Sequence, residues 1–359
     1  MTAPSEVKSL APVPEESPPR VAICILNWNG WRDTIECLES VRRLEYPNYV
    51  AVVVDNGSSD GSAEKIRAWA AQNLGPAHAL ADYSRPSALN GGEVQMEYAL
   101  DRTPSAARLV LIRNADNLGF TGGNNVAMHY ALHRGAPADY VFLLNNDAMP
   151  EPDCLTLLVT ADLKTRAGIV GAVVLTGNGC DVEFAKSGPR LALFFAPIIK
   201  SYVPMPQGGK LQWESGYVNG SAMLIRKDVL MAVHRLGRGY LDDRLFLYWD
   251  EIAFCNTAWK MGFKCLVVRN ATVHHKGGKS SGGFVNPIYY YYSGRNRVLL
   301  VNEFLPLGWR VVFHCVHTPM RLVSALNNVR TRRLRSAQAI LWGLIDGYRG
   351  VTGKWKRHD

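Results

Sequence analysis

The sequence lacks the features that mark several large classes of protein. No apolar run reaches the ~20 residues that a helix needs to span a bilayer, because two arginines and two histidines interrupt the best candidate between residues 310 and 321. The seven cysteines are scattered and include no CxxC pair. This pattern predicts reduced thiols in a cytoplasmic protein, with Cys255 and Cys265 in the core, and it argues against a disulfide framework.

Two stretches are poor in the residues that build regular structure. Residues 1–19 contain five prolines and no apolar segment, so we expect a disordered N-terminus and no secretory signal peptide. Residues 75–107 are rich in Gly, Pro, Ala and Ser, and a functional loop and a locally disordered insertion both remain open there. The 359-residue chain is 47% hydrophobic, which is enough for a sizeable core in one large domain with an appendage, or in two domains.

Acidic residues are scarce at the C-terminal end. Residues 290–359 contain 12 Lys/Arg and three Asp/Glu, a net charge of +9 that equals the net charge of the whole chain. Apolar residues at helical spacing lie between the basic ones, and basic amphipathic helices suit an anionic membrane surface. A helix pair packed on the rest of the chain, or a contact in a homo-oligomer, is the alternative. No recognition motif supports nucleic acid as a partner.

Short apolar runs ending in polar residues dominate the first half of the chain. Residues 21–26 and 50–54 are strand-like, and each is followed by a helical pattern. This β–α–β–α order predicts an α/β fold with a parallel sheet. A dinucleotide-binding GxGxxG loop is absent, since NWNGWRD follows the first run. Open α/β sheets bind ligands just beyond the carboxyl ends of their strands, so we expect a site there.

A third apolar run, at residues 141–144, leads into Asn145-Asn146-Asp147. This placement would bring Asp147 to the same edge of the sheet, where its carboxylate could bind Mg²⁺ or Mn²⁺. A strand followed by an ordinary Asn/Asp turn is the alternative.

Seven segments between Val21 and Gly283 resemble, in order, the motif set of glycosyltransferase family 2, which has the GT-A fold. They are VAICILNWNG, VVVDNGSSDGS, NADNLGFTGGNN, FLLNNDAMPEPD, VNGSAMLIRKDV, FLYWDEIAFC and VHHKGGKSSG. They are most similar to the bacterial rhamnosyltransferase-like branch. The resemblance implies a Rossmann-like nucleotide-diphospho-sugar transferase domain at residues 20–286, followed by a basic helical tail at residues 287–359.

The resemblance also implies an activity. It indicates an inverting hexosyltransferase that uses a divalent metal, with dTDP-L-rhamnose as the expected donor and a UDP-sugar as the nearest alternative. The acceptor would be a cell-surface glycan or a lipid-linked sugar, and the enzyme would be peripheral on the inner face of the cell membrane. A catalytically weak homologue that binds glycans or acts as a scaffold is the alternative from another class.

By resemblance, the nucleotide binds at the first two strand ends. Asp55 would accept a hydrogen bond from the pyrimidine ring, and Asn27 and Asn29 would line the same pocket. Asp60 would support the loop or reach the ribose, although a helix cap explains an acid at this position equally well.

A glycine-rich segment would complete the nucleotide site. The residues expected to bring amides near the nucleotide are Asn117, Gly119 and Asn125. Many family members carry Arg-Asn where this chain has Asn124-Asn125, and GGNN is common in the rhamnosyltransferase-like branch. A glycine-rich turn with a helix cap is the structural alternative.

The metal is expected at Asp147 and His275, with Asn146 close to the donor. The family pattern is Asp-x-Asp, and Asn145 stands at its first position here. His275 belongs to a segment that resembles the family's His-Lys-Gly-Gly motif, in which Lys276 and Lys279 could neutralise phosphate. A flexible basic loop is the alternative.

The general base is expected at Asp250-Glu251, where Glu251 is the base by alignment and Asp250 is the alternate. The family motif has the order Glu-Asp followed by a later acid, which is Ala253 here. Trp249 and Trp213 could stack on a sugar or lie in the core.

Overall fold

The computed structural model describes residues 17–75, 79–177, 179, 181–188, 194–195, 202–203, 206–277 and 286–356. Of the expected disordered segment 1–19, residues 1–16 lie outside the described residues, whereas Pro18 and Pro19 are held by hydrogen bonds from Asn48 and Tyr46.

The described residues form a mixed α/β structure with a C-terminal group of helices. The strands are β1 (Val21–Asn27), β2 (Tyr49–Asn56), β3 (Ala79–Ser84), β4 (Arg108–Asn114), β5 (Tyr140–Asn145), β6 (Ala148–Pro150), β7 (Gly168–Thr176), β8 (Val182–Phe184), β9 (Lys186–Ser187), β10 (Tyr202–Val203), β11 (Gln212–Glu214), β12 (Ala222–Arg226) and β13 (Lys264–His275). The helices are α1 (Trp31–Val41), α2 (Ser62–Asn73), α3 (Arg85–Leu89), α4 (Val94–Arg102), α5 (Gly119–His133), α6 (Cys154–Thr165), α7 (Lys227–His234), α8 (Asp250–Lys260), α9 (Pro287–Phe304), α10 (Leu307–Arg330) and α11 (Leu334–Tyr348).

One sheet organises the molecule. Its strand order is β11-β13-β7-β12-β5-β1-β2-β4-β3, with β6 added to β13 and β8 added to β7. The strands β5, β1, β2, β4 and β3 pair in parallel, whereas β12 is antiparallel to both β5 and β7. Because β1, β2 and β5 are parallel, their carboxyl ends meet at one edge, and Asn27 lies opposite Asp55 in the register. The predicted α/β fold is confirmed; its sheet is parallel over β5, β1, β2, β4 and β3 and mixed as a whole.

Both faces of the sheet are covered, as its nearly continuous apolar strands predict. One core contains residues of α1, α2 and α6, and the other contains residues of α5, α7 and α8. Cys255 and Cys265 are buried in the second core, which confirms their expected position.

The expectation of a loop or disordered insertion at residues 75–107 is wrong for residues 79–107. This segment forms the edge strand β3 and the helices α3 and α4. A buried ion pair anchors it, because Nε of Arg134, the residue after α5, lies 2.6 Å from Glu97 Oε2 of α4. Tyr83 and Tyr130 also donate their hydroxyls to Glu97. The Gly- and Ala-rich composition of the segment concealed α4, which is anchored through its one buried acid, Glu97.

The C-terminal region is helical, as predicted. The helices α9, α10 and α11 pack on one another and on the segment that precedes α8. Among the described residues, no helix combines the length and the apolar character that crossing a bilayer requires.

Candidate active site

Two strand ends and their loops form one side of the site. Asn27 Nδ2 donates a hydrogen bond to Asp55 Oδ1 at 2.7 Å. Thr34 of α1 donates to Asn27 Oδ1 at 2.8 Å, so the amide is fixed and its partner carboxylate is held in place. Both Asn27 and Asp55 are buried. The structure therefore brings together two of the residues that the resemblance assigns to the pocket for the nucleotide's pyrimidine ring. The second oxygen of Asp55 lies 3.4 Å from Ser58 N.

Asn29 and Asp60 hold the loops around this pair. Asn29 has a left-handed backbone (φ 52°), and its Oδ1 accepts a hydrogen bond from Ser59 N at 2.8 Å. Asp60 Oδ1 accepts from Ser62 N, at the start of α2, at 3.1 Å. Gly61 is the N-cap of α2, so Asp60 is neither the cap nor a first-turn acid; it lies one position earlier and accepts from the first N–H of the helix.

The glycine-rich segment lies beside the second strand end. Asn117 Oδ1 accepts hydrogen bonds from Gly119 N at 2.8 Å and from Asn56 at 3.1 Å. Gly119 has φ 75°, and a Cβ there would lie 2.4 Å from Phe246 O, so only glycine fits. Asn125 points elsewhere: its amide contacts Leu241 and Asp243, which ties α5 to the loop after α7.

The segment before the expected base has an unusual backbone. Phe246, Tyr248 and Trp249 have φ values of 64°, 65° and 71°, a region that costs energy for residues with a Cβ. Asn296 of α9 offsets this cost, since its Nδ2 lies 2.8–3.1 Å from three carbonyl oxygens of the segment. Arg295, which is fully buried, donates to Leu245 O at 2.7 Å. Helix α9 thus fixes the entry into α8.

Asp250 and Glu251 begin α8 immediately after this segment. Burial and the neighbouring Glu251 carboxylate raise the pKa of Asp250 well above its usual range, and burial raises the pKa of Glu251. Gly220 lies next to Glu251, since a Cβ at 220 would be in ordinary contact, 3.6 Å, with Glu251 Cβ. Ala253 is buried and supplies no further carboxylate.

The third strand end carries the expected metal residues. Strand β6 pairs with the end of β13, with Ala148 opposite His275. This pairing places His275 Nε2 3.1 Å from Asp147 Oδ1, although 128 positions separate the two residues in sequence. Asn145 Nδ2 lies 3.3 Å from the same ring nitrogen. Asn146 turns away from them towards Thr34 and Gly30 of the first loop.

Glu183 is a site residue that the sequence analysis missed. Its carboxylate lies 2.9 Å from His275 Nδ1, because β8 pairs with β7 beside β13. Burial of the ring opposes protonation, but the hydrogen bonds and charges of Asp147 and Glu183 outweigh it and raise the pKa of His275 to about 9. No motif surrounds Glu183, so only the three-dimensional arrangement identifies it.

These residues fit a divalent metal. A histidine whose second nitrogen donates to a carboxylate is the usual arrangement of a metal-bound imidazole. A bound ion would replace the proton that Nε2 shares with Asp147, while Nδ1 would stay protonated towards Glu183; the Nε2 lone pair and the Asp147 carboxylate would then both be ligands. Among the described residues no group of three or more His, Cys, Asp or Glu side chains could hold a metal alone. Such an ion would therefore take further ligands from phosphate or water, as Mg²⁺ commonly does.

The basic residues next to His275 are engaged elsewhere. Lys276 Nζ contacts Asp33 at 2.7 Å and Glu36 at 2.5 Å, both on α1. His274 Nε2 contacts Glu151 at 2.8 Å and is separate from the Asp147 pair. Lys279, expected near phosphate, lies outside the described residues.

The two tryptophans differ in their surroundings. Trp213 is buried and donates its indole N–H to Ala185 O at 2.9 Å, which is a core position. Trp249 is buried against Phe194, with ring centroids 6.0 Å apart, and the Arg297 guanidinium carbon lies 4.6 Å from its ring centroid.

The sequence is similar to known proteins. A sequence profile described as glycosyl transferase family 2 matches residues 22–80, which include the first two strand ends. The low-salt glycan biosynthesis hexosyltransferase Agl10 of Haloferax volcanii is 23% identical over 250 residues, which are 68% of this chain and 78% of the relative.

Two solved structures share the fold. The mannosyltransferase PcManGT from Pyrobaculum calidifontis, in complex with GDP-Man and Mn²⁺, superposes with a TM-score of 0.51 at 15% identity, over 94% of this chain and 89% of that one. GalNAc-T7 with UDP, GalNAc and Mn²⁺ gives a TM-score of 0.52 at 15% identity, over 85% of this chain and 55% of that one. The predicted GT-A fold is confirmed, and the profile and the relative identify the chain as a glycosyltransferase.

Proposed function

We propose that this glycosyltransferase transfers a sugar, with inversion, from a nucleotide diphosphate to a glycan or lipid-linked acceptor, and that it requires a divalent metal. The observation that carries the proposal is the His275 ring, held at Nδ1 by Glu183 while Nε2 faces Asp147. Relatives of the same fold carry Mn²⁺ with a nucleotide sugar or its parts, and the sequence relative is a hexosyltransferase of glycan biosynthesis.

In this mechanism the chain's residues bind the donor, orient the acceptor and accept one proton. Asp55 and Asn27 seat the base of the donor. Glu251, in its ionised form, accepts the proton of the acceptor hydroxyl while the oxygen forms its bond to the anomeric carbon and the bond to the diphosphate breaks. A raised pKa makes Glu251 a stronger base than an exposed carboxylate. When bound at Asp147 and His275, a divalent ion would stabilise the negative charge that develops on the leaving diphosphate.

The donor we propose is dTDP-L-rhamnose, on the strength of the GGNN segment and the resemblance of the whole motif set; a UDP-sugar is the second candidate. Thermal unfolding across a panel of sugar nucleotides with Mn²⁺ tests this assignment. A specific donor at a hundredfold excess over its dissociation constant should stabilise the protein by ~2.7 kcal/mol. Equal stabilisation by dTDP-, UDP- and GDP-sugars would contradict a dTDP preference.

A catalytically weak, glycan-binding homologue is the second candidate function. The absence of acids at Asn145 and Ala253 favours it. Hydrolysis of the donor by purified protein with Mn²⁺ separates the two, since a transferase slowly releases the nucleotide to water and a binding protein does not.

The C-terminal helices suit a peripheral position on the inner face of the membrane. The solvent side of α10 is apolar, with Val311, Leu322, Val323, Leu326 and Val329 all 45–69% exposed. A patch of this kind marks an interaction surface. Exposed arginines follow it at positions 330, 332, 333 and 335, so an anionic lipid surface complements both the apolar and the charged part.

Replacing Arg330, Arg332, Arg333 and Arg335 with Gln should weaken binding to anionic liposomes, because each basic residue near the surface contributes roughly 1 kcal/mol. Cosedimentation at low and high salt measures this, and salt should release the wild type. Donor affinity is the control and should not change. Equal partition of the wild type into anionic and neutral liposomes would instead make α10 a contact between copies of the chain or a packing element.

A further inference from the structure

Thr34, in the first turn of α1, touches both halves of the candidate site. The first of the family motifs ends at Gly30, so Thr34 lies outside it and has no role by resemblance. Its side chain is fully buried. A buried hydroxyl must make hydrogen bonds to offset its lost contact with water, and the partners of Thr34 show what it does.

On one side, Thr34 orients the amide that holds Asp55. Thr34 Oγ1 lies 2.8 Å from Asn27 Oδ1 and 3.1 Å from Gly30 O. Gly30 O already accepts a hydrogen bond from Thr34 N at 3.0 Å, so the single hydroxyl hydrogen is available to Asn27 Oδ1. The amide nitrogen of Asn27 is then left to donate to Asp55 Oδ1 at 2.7 Å. Without the hydroxyl, the amide could turn over and present its oxygen to the carboxylate.

On the other side, Thr34 holds the turn that carries Asp147. Asn146 Nδ2 lies 3.1 Å from Thr34 Oγ1 and 3.4 Å from Gly30 O. Both oxygens act as acceptors towards Asn146, because the hydroxyl hydrogen is directed at Asn27. These contacts decide which end of the Asn146 amide faces α1. Asn146 directly precedes Asp147 in the chain, so its position helps to set that of the carboxylate beside His275.

The close approach of Asn146 to α1 depends on Gly30. A Cβ added at position 30 would lie 2.8 Å from Asn146 Nδ2, which is too short, and 3.6 Å from Asn27 Oδ1, which is an ordinary contact. The amide is the far end of a flexible side chain and can move away at little cost. A methyl group at position 30 would therefore displace Asn146 and leave the contact between Thr34 and Asn27 in place.

We propose that Thr34 is a positioning residue whose hydroxyl links recognition of the donor's pyrimidine ring to binding of the metal. The inference rests on the proposed function, because both ends of the link belong to that same site. The hydroxyl donates to the amide that holds Asp55 and accepts from the amide next to Asp147. Hydrogen bonds in such a chain reinforce one another, and holding both ends in place lowers the cost of ordering them when the donor binds.

Two quantities, measured by calorimetry on the full chain, report on the two ends of the link. The affinity for pyrophosphate in the presence of Mn²⁺ reports on the metal end, since this ligand has no base. The ratio of dTDP affinity to pyrophosphate affinity, both with Mn²⁺, reports on the base end. Thr34→Val keeps the shape of the side chain and removes the hydroxyl. It should lower the pyrophosphate affinity and the ratio by about 2–10-fold each, the usual range for one hydrogen bond.

Three further variants separate positioning from general packing. Thr34→Ser restores the hydroxyl and should retain both quantities. Gly30→Ala should lower the pyrophosphate affinity by a similar factor and leave the ratio unchanged. Thr103→Val is the matched control, because it removes a hydroxyl from another buried threonine, which donates to Ala99 O at 3.0 Å. Thr103 O contacts Arg108, the first residue of β4, so it lies at the amino end of the parallel strands, and the variant should bind like the wild type.

The pattern of losses decides the inference. A cooperatively unfolding Thr34→Val that loses only one of the two quantities, or neither, would overturn it. Equal losses in Thr34→Ser and Thr34→Val would also overturn it, because the hydroxyl would then not be the cause. If Thr34→Val does not fold, Gly30→Ala still tests the metal end, and an unchanged pyrophosphate affinity there would contradict the link. A wild type that binds no dTDP with Mn²⁺ would refute the proposed function itself, whereas equal dTDP binding by the wild type and Thr34→Val would refute this link alone.

Discussion

Glu251→Gln is expected to lower the rate of sugar transfer by ~10²–10⁴-fold, the usual effect of losing a general base. The substitution keeps the shape of the side chain at the start of α8 and removes its ability to accept a proton. Donor affinity should survive, since Asp55 and Asn27 lie on other elements. Single-turnover rates and nucleotide titrations on the same preparation measure the two quantities. Asp250→Asn is the matched variant; if it is crippling while Glu251→Gln is mild, the two residues exchange roles.

The pH profile provides a second measurement for the same assignment. A general base works only when ionised, so activity falls as the pH drops through its pKa. Because burial raises the pKa of Glu251, the acidic limb of kcat/KM should lie above the ~4.3 of an unperturbed glutamate. The residual activity of Glu251→Gln should lack this limb. A wild-type limb at the ordinary value would argue that an exposed carboxylate, and not Glu251, takes the proton.

The sequence could predict where the strands end and how they pair. Continuous apolar runs such as those at 21–26 and 50–54 admit few alternatives to buried parallel strands. When such strands pair in parallel, their carboxyl ends lie side by side, and Asn27 is found opposite Asp55. The family resemblance predicted His275 and Asp147 as metal ligands. The pairing of β6 with β13 places their side chains in contact.

Glu183 could not be predicted in the same way. It lies in a three-residue strand with no motif around it, and its contact with His275 depends on the addition of β8 to the edge of β7. Tertiary pairing of this kind leaves no local signal in the chain. Asp60 is an intermediate case: a local pattern correctly placed it beside the start of α2, but the N-cap itself is Gly61.

The backbone before α8 could not be predicted either. Local propensity disfavours left-handed conformations at Phe246, Tyr248 and Trp249, and long-range hydrogen bonds, among them those from Arg295 and Asn296 of α9, compensate for them. The charge pattern of the C-terminal region predicted that it binds a membrane surface. Its first helix in fact also holds the entry to the Asp250-Glu251 pair, so the region called a tail is part of the architecture of the site.

Asp147→Asn is expected to abolish metal-dependent donor binding and turnover while leaving the fold intact. Asp147 is the only acid in the Asn145-Asn146-Asp147 turn, and an amide is a much poorer ligand for a hard cation than a carboxylate. Loss of a residue that merely supports a metal ligand costs about 10–100-fold in affinity, so loss of the ligand itself should exceed ~100-fold. Titration of Mn²⁺ against wild type and variant, in the presence of nucleotide, measures the change.

Asp228→Asn is the matched control for this prediction. It makes the same chemical change at an exposed carboxylate, which pairs with Arg226. Arg226 ends β12, whereas the residue before β12, Ser221, contacts Asn145 of the metal turn; Asp228 is therefore at the opposite end of the strand from Asp147. Its Mn²⁺ affinity should equal that of the wild type. In Asp147→Asn, Glu183 still holds the ring of His275, so cooperative thermal unfolding should persist and a loss of metal binding cannot be ascribed to a lost fold. Equal Mn²⁺ affinity in Asp147→Asn and the wild type would place the metal elsewhere and remove the charge that this mechanism assigns to the leaving diphosphate.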